Sequence, residues 1–371
     1  FKGWWLAFAL LIFVSVNVSV KAGFGKGLNQ ATGLNYDTIK TAYSIENLAF
    51  VHSQAQFEVD RLRMLLTLEN WKAKWENPKD QKMIFLCVSG GGQRAALWTV
   101  NSLLKIDSAL NGSLMDQTFL ITGASGGVIG AAYYREMQSR YPEIALAQNS
   151  NELTERMGRD NLNPVIFGLL VNDLFFKIRK HEYAGKTYAV DRGYVFEKNL
   201  SKNLNYVLEK KVLDYHEQEK KAEIPTLIMS PTIGNDGRKL YISSQPISYM
   251  AVSSSEIDRP NPKIRGVDFQ TFFKHNDAKD LSFLTALRMS ASFPYITPNI
   301  SLPAEPRVEI MDAGISDNFG VSDAIRFVNV FQDWITDNTG GVVFLVVRDT
   351  KSNSPVAPIP NPSIIDRLTS P

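Results

Sequence analysis

Ser125 stands in the middle of "FLITGASGGVIG", residues 119–130, between Gly123 and Gly127 and directly after a strand-like run. A G-x-S-x-G pattern between a strand and a helix is a nucleophile elbow, a sharp turn that presents a hydroxyl to a carbonyl. Small neighbours suit it because the serine backbone is strained and adjacent strands come close. The helix beginning at "GGVIGAAYY" would aim first-turn N–H groups and partial positive charge at the serine. Glycines also make ordinary turns, so the flanking strand and helix carry more weight than the five residues alone.

A serine hydroxyl attacks well only when a base takes its proton. The chain has four histidines, His52, His181, His216 and His275, and none follows residue 275. His275 lies in the polar stretch "FFKHNDAKD" and reads first as a solvated side chain, which leaves a Ser-His-Asp triad as the weaker alternative. Asp312, at the end of "VEIMD" and before Ala313 and Gly314, offers a second route. In a parallel sheet it would leave the same C-terminal edge as Ser125, where α/β sites form, and could accept the proton directly. An aspartate also ends strands for local turn reasons.

The third piece is "VSGGGQRAAL", where Gly90, Gly91 and Gly92 lie between a strand and a helix. Amides without side chains can turn toward one oxygen and form an oxyanion hole. Gly90, Gly92 and Ala95 also match a dinucleotide fingerprint, but the next strand, "TFLIT", ends in Thr122 and runs into the serine turn instead of ending on an acid. A Walker loop lacks its Gly-Lys-Ser/Thr ending. With no zinc-type cysteine and histidine spacing and no EF-hand loop, the sequence calls for no cofactor and assigns no metal.

These groups need strands to carry them. Residues 83–89, 118–122, 225–231, 239–244, 308–312 and 341–347 read as strands, and the first and last are nearly all apolar, as central strands covered on both faces should be. "RAALWTVNSLLKIDSAL" between the first two reads as a helix, so the class is α/β with a mainly parallel sheet. Residues 25–80 read as a helical lead-in or linker, with helical spacing at Leu62, Met64, Leu65 and Leu66 and a stop at "NPKD". Residues 81–350 form the expected catalytic domain, within which 150–224 is either an insertion over the site or a polar excursion. Residues 351–371 read as the Pro-rich start of an extension.

Of the 371 residues, 44% are hydrophobic and 21% charged, with a formal charge of +2, which argues against a nucleic-acid partner. The single cysteine, Cys87, in "MIFLCVS", reads as a buried thiol and excludes an intrachain disulfide. "WWLAFALLIFVSVNVSV", Trp4–Val20, carries no charge and would span roughly 26 Å as a helix. Residues 1–24 are therefore expected to be a membrane segment, although "VSVNVSV" alternates like a strand and "VKA" resembles a signal-peptidase site. Lys21, Lys26 and Lys40 after it favour a cytoplasmic catalytic part. Phe1 at the start and the break at "IPNPSIIDRLTSP" suggest a piece of a longer protein.

In this order, the motifs resemble the patatin-like and cytosolic phospholipase A2 superfamily over roughly residues 83–350. "SGGGQRAA" is similar to its glycine-rich oxyanion motif, "GASGG" to its elbow and "MDAG" to its aspartate motif. "LRMSASFPYITPNI" is similar to the segment preceding that aspartate, and Asn318 stands where an asparagine often follows. Ser89, Ala95 and Ala313 depart from many patatins and look more like the cytosolic phospholipase branch. The resemblance implies a three-layer α/β/α fold and a lipid acyl hydrolase with Ser125 as nucleophile and Asp312 as base. It makes a membrane lipid the substrate and Arg94 a phosphate contact, unless Arg94 forms a structural salt bridge behind the loop. A lipid acyltransferase on the same dyad and a catalytically silent membrane-bound module are the alternatives.

Overall fold

The structure, a computed structural model, describes residues 28–141, 149–166, 179–253, 256–257, 259, 262–292 and 297–350. The expected membrane segment and the Pro-rich extension lie outside the described residues. Among the described residues no helix is long and apolar enough to cross a membrane.

The strands of the two main sheets are labelled β1 (Met83–Val88), β2 (Thr118–Gly123), β3 (Thr226–Leu227), β4 (Thr232–Ile233), β5 (Lys239–Tyr241), β6 (Gly266–Asp268), β7 (Ile300–Leu302), β8 (Val308–Met311) and β9 (Val342–Val347). The helices that matter here are α1 (Gln54–Lys72), α2 (Gly92–Ala109), α3 (Ser125–Arg140), α4 (Ser150–Gly158), α5 (Arg192–Asn203), α6 (Phe283–Ser290) and α7 (Val321–Asn338).

Strand β1 is buried along its whole length and lies inside a parallel sheet of order β9-β1-β2-β3. Its side chains alternate between two cores, as strand geometry requires. Ile84, Leu86 and Val88 join Val100 of α2 and Val128 of α3. Met83, Phe85 and Cys87 join Met64 and Trp71 of α1 and Phe327 of α7. Helices thus cover both faces of an α/β fold with a parallel central sheet.

Three expectations need correction. The apolar strand β9 is an edge and not a centre: Val343, Phe344 and Val346 are each about two-fifths exposed. The strand before Asp312, β8, is not in the parallel sheet. It pairs antiparallel with β7 and β4 in a second sheet of order β7-β8-β4-β5-β6, which also holds residues 239–241. The lead-in is no linker, because α1 buries Phe57, Met64, Leu68 and Trp71 against the parallel sheet. Its inward stripe differs from the expected one, with Leu62 and Leu66 facing outward.

One extended segment joins the sheets. After β3, Ile228 N–H donates to Ile121 O at 3.0 Å, Met229 pairs with Ile242, and Pro231 O accepts from Leu240 N–H at 2.8 Å before β4 begins. Pro231 has no N–H to give, which suits a point where the chain changes partners. This crossing brings β8, beside β4, to the C-terminal edge of the parallel sheet.

Candidate active site

Ser125 begins α3 with φ 50°, a left-handed conformation costly for a side-chain-bearing residue and typical of strained elbows. The glycines around it answer to close contacts. A Cβ at Gly123 would lie 2.3 Å from Val88 O, and one at Gly127 2.3 Å from Ser89 O. Gly126 and Gly130 lie one helical turn apart and face Gly92 O and Ala96 O, where a Cβ would meet them at 1.8 and 2.4 Å. The backbones of α2 and α3 therefore touch, and that contact sets Ser125 against the glycine loop.

The three loop glycines do not act alike. Gly90 N–H already donates to Asn318 O at 2.9 Å, so the expectation that all three amides converge on one oxygen is corrected. Gly90 instead makes room, since a Cβ there would lie 2.4 Å from Asn318 Oδ1 and 3.3 Å from Ser125 Cβ. Gly91 and Gly92 have φ +143° and +63°, and their N–H groups find no acceptor among the described residues. Gly92 lines a cavity together with Ser125.

Asp312 follows β8 and is fixed by its backbone. Its N–H donates to Ser292 O at 3.1 Å, Ala313 N–H donates to Ser290 O at 3.3 Å, and its carbonyl accepts from Thr232 Oγ1 at 3.0 Å. The "SAS" segment after α6 thus holds the aspartate turn in place. Oδ1 accepts from Gly314 N–H at 2.7 Å, and the Ser125 side chain lies near the same carboxyl group. Burial pushes the Asp312 carboxyl up to about 6, while the Gly314 N–H and the nearby Ser125 hydroxyl pull it down. The turn itself approaches the elbow through Gly320, whose Cβ would collide with Gly123 N at 2.3 Å.

None of the histidines lines the cavity at Ser125. His52 is buried elsewhere, accepting from Asp268 N–H at 2.9 Å. His275 borders a separate groove with Phe272 and Lys274, and His181 stacks on Tyr194. Cys87 is buried and free, and burial pushes its thiol up to about 11.

Arg94 is paired where a phosphate contact was expected. Its Nε and Nη2 both reach Asp349 Oδ2, at 3.0 and 2.9 Å. The cavity at Ser125, about 210 Å³, is lined chiefly by apolar side chains, among them Ile129, Met157, Leu162, Phe196 and Leu200. The last four come from residues 150–224, so described residues of that stretch wall the site. Sequence reading missed Asp349, Gly320 and Phe196. Asp349 follows an apolar strand by two residues, much as Asp312 follows another, and that was the available signal.

A serine on a strand–helix elbow, beside a glycine loop and a buried carboxylate at the edge of a parallel α/β sheet, defines an α/β protein with a serine-centred site. A family model for patatin-like phospholipase matches residues 86–325, and the chain belongs to that family. Among solved structures, the chain is similar to human GIVD cytosolic phospholipase A2, at 12% identity and TM-score 0.38 over 80% of this chain and 47% of that one. The same enzyme in complex with methyl gamma-linolenyl fluorophosphonate matches at 13% identity and TM-score 0.35, over 80% and 44%. VipD from Legionella pneumophila matches at 14% identity and TM-score 0.29, over 64% and 47%. The chain spans about half the length of these proteins. No curated protein matches it.

Proposed function

We propose that the protein hydrolyses carboxylic ester bonds of lipids through a Ser125–Asp312 dyad, within a catalytic unit spanning residues 81–350 that rests on α1. Ser125 Oγ attacks the acyl carbonyl as its proton passes to Asp312. Gly91 and Gly92 N–H groups stabilise the oxyanion. Collapse breaks the ester C–O bond, and Asp312 returns the proton to the leaving alkoxide. Water, deprotonated by Asp312, then adds to the acyl-enzyme, and collapse breaks the Ser125 ester bond, Asp312 returning the proton to Ser125 Oγ as the acid leaves. The observation that carries this reading is the nearness of the Ser125 hydroxyl to a buried carboxyl raised to about 6, at the end of an apolar cavity sized for part of an acyl chain.

Membrane association belongs to the same proposal. The uncharged run Trp4–Val20 supports it, as does the strong exposure of Ile39 (91%) and Phe50 (77%) beside Lys274. The lysines after the run favour a cytoplasmic catalytic part. Incubation of the purified protein with a phospholipid extract tests the chemistry. Wild type is expected to release fatty acid, and S125A and D312N to lose at least about 1000-fold in turnover. Unchanged turnover in either variant would refute the dyad. Transfer of the acyl group to an added alcohol would reassign the protein as an acyltransferase.

A further inference from the structure

We infer that the Arg94–Asp349 pair braces the oxyanion loop, making both of them positioning residues and giving Arg94 its role without contact to a substrate phosphate. The inference rests on the proposed role of Gly91 and Gly92 but concerns residues outside the dyad. β9 and β1 run parallel with Val347 opposite Val88, so the chain leaving β9 passes beside the loop leaving β1. Asp349 is 4% exposed there and, among the described residues, carries one guanidinium as its charged partner. Its Oδ2 accepts from both Arg94 nitrogens and lies where a Cβ on Gly91 would be, at 2.3 Å. Its backbone N–H donates to Ser89 Oγ at 3.3 Å.

The loop is thus held from three sides. Arg94 pulls the first turn of α2 toward Asp349, Ser89 ties the loop's start to the same residue, and the carboxylate packs against bare Gly91. The neighbouring Arg348 lies over the Phe319 ring at 4.8 Å, which ties this chain end to the aspartate turn as well. Gly91 and Gly92 sit in left-handed conformations, and two free amides on such a flexible tripeptide need an outside restraint to stay aligned. A buried carboxylate left without its cation would move or draw in water, and the amides would move with it.

The test measures kcat and KM of the full chain for a phospholipid and for an uncharged nitrophenyl ester, in R94M, R94K and D349N. Arg94 is 69% exposed and Asp349→Asn is near-isosteric, so the variants are expected to fold, which melting curves check. Loss of the brace lowers kcat by about 10–100-fold in R94M and D349N, equally on both substrates and with KM nearly unchanged, and R94K recovers part of the loss. A rise in KM confined to the phospholipid would return Arg94 to the phosphate. Full kcat in R94M and D349N overturns the brace while leaving the dyad standing. Independently of turnover, the Gly91 and Gly92 amide resonances shift in R94M, and unmoved resonances overturn the inference even if wild type hydrolyses neither ester.

Discussion

At the scale of single residues, the site turns on a carboxyl group kept in two minds by its surroundings. Burial raises Asp312 toward 6, so at neutral pH it is largely ionised yet basic enough to take a proton. If Asp312 is the base, as proposed, it must be unprotonated, so kcat/KM is expected to fall on the acid side with a limb near 6. Such a limb would vanish in D312N along with the activity. The same shift has a stability consequence. A carboxyl whose folded pKa is raised adds stability that is fully present below its unfolded value near 3.8 and lost as pH rises through about 6. D312N is therefore expected to be more stable than wild type at pH 8, by about 1–3 kcal/mol, and no more stable at pH 3. Denaturant melts at both pH values check it.

At the scale of elements, the chemistry depends on how closely α2, α3 and the aspartate turn approach one another. Gly126→Ala would place a methyl 1.8 Å from Gly92 O, and Gly320→Ala would place one 2.3 Å from Gly123 N, each against backbone that cannot swing away. Both are expected to destabilise by about 2 kcal/mol or more and to reduce turnover in whatever protein stays folded. Melting temperatures beside specific activity measure the two effects. The sequence displayed the elbow, the glycine loop and the aspartate because each sits in a local pattern of glycines and strand ends. It could not display that β8 runs antiparallel in a second sheet, since the crossing at Ile228–Pro231 leaves no periodic mark. Strand β9 misled for a related reason: an all-apolar strand reads as central wherever the fold places it. The Arg94–Asp349 pair joins residues 255 apart and becomes visible only once β9 is known to lie beside β1.

Across the whole molecule, the lead-in and the α/β body form one structure. Trp71 is fully buried in the core that also holds Phe85 and Phe327, and its indole N–H donates to Asp116 O at 3.2 Å. Trp71→Ala is therefore expected to cost about 3–5 kcal/mol and to lower the single cooperative transition of the whole chain. A separate early transition would instead show α1 to be an independent appendage. Amphipathic spacing announced this helix from sequence, but which side faces the sheet was not legible because apolar residues occupy both. The segment 150–224 was equally ambiguous, and it became part of the site only through Met157, Leu162, Phe196 and Leu200 meeting Ser125 across one cavity.

The most direct measurement is to label the purified protein with a fluorophosphonate and locate the adduct by mass spectrometry in wild type, D312N and H275A. The expected result is a single adduct on Ser125, formed at the same rate in H275A and hardly at all in D312N. An adduct on another residue, or labelling that survives in D312N and disappears in H275A, would contradict a serine served directly by an aspartate.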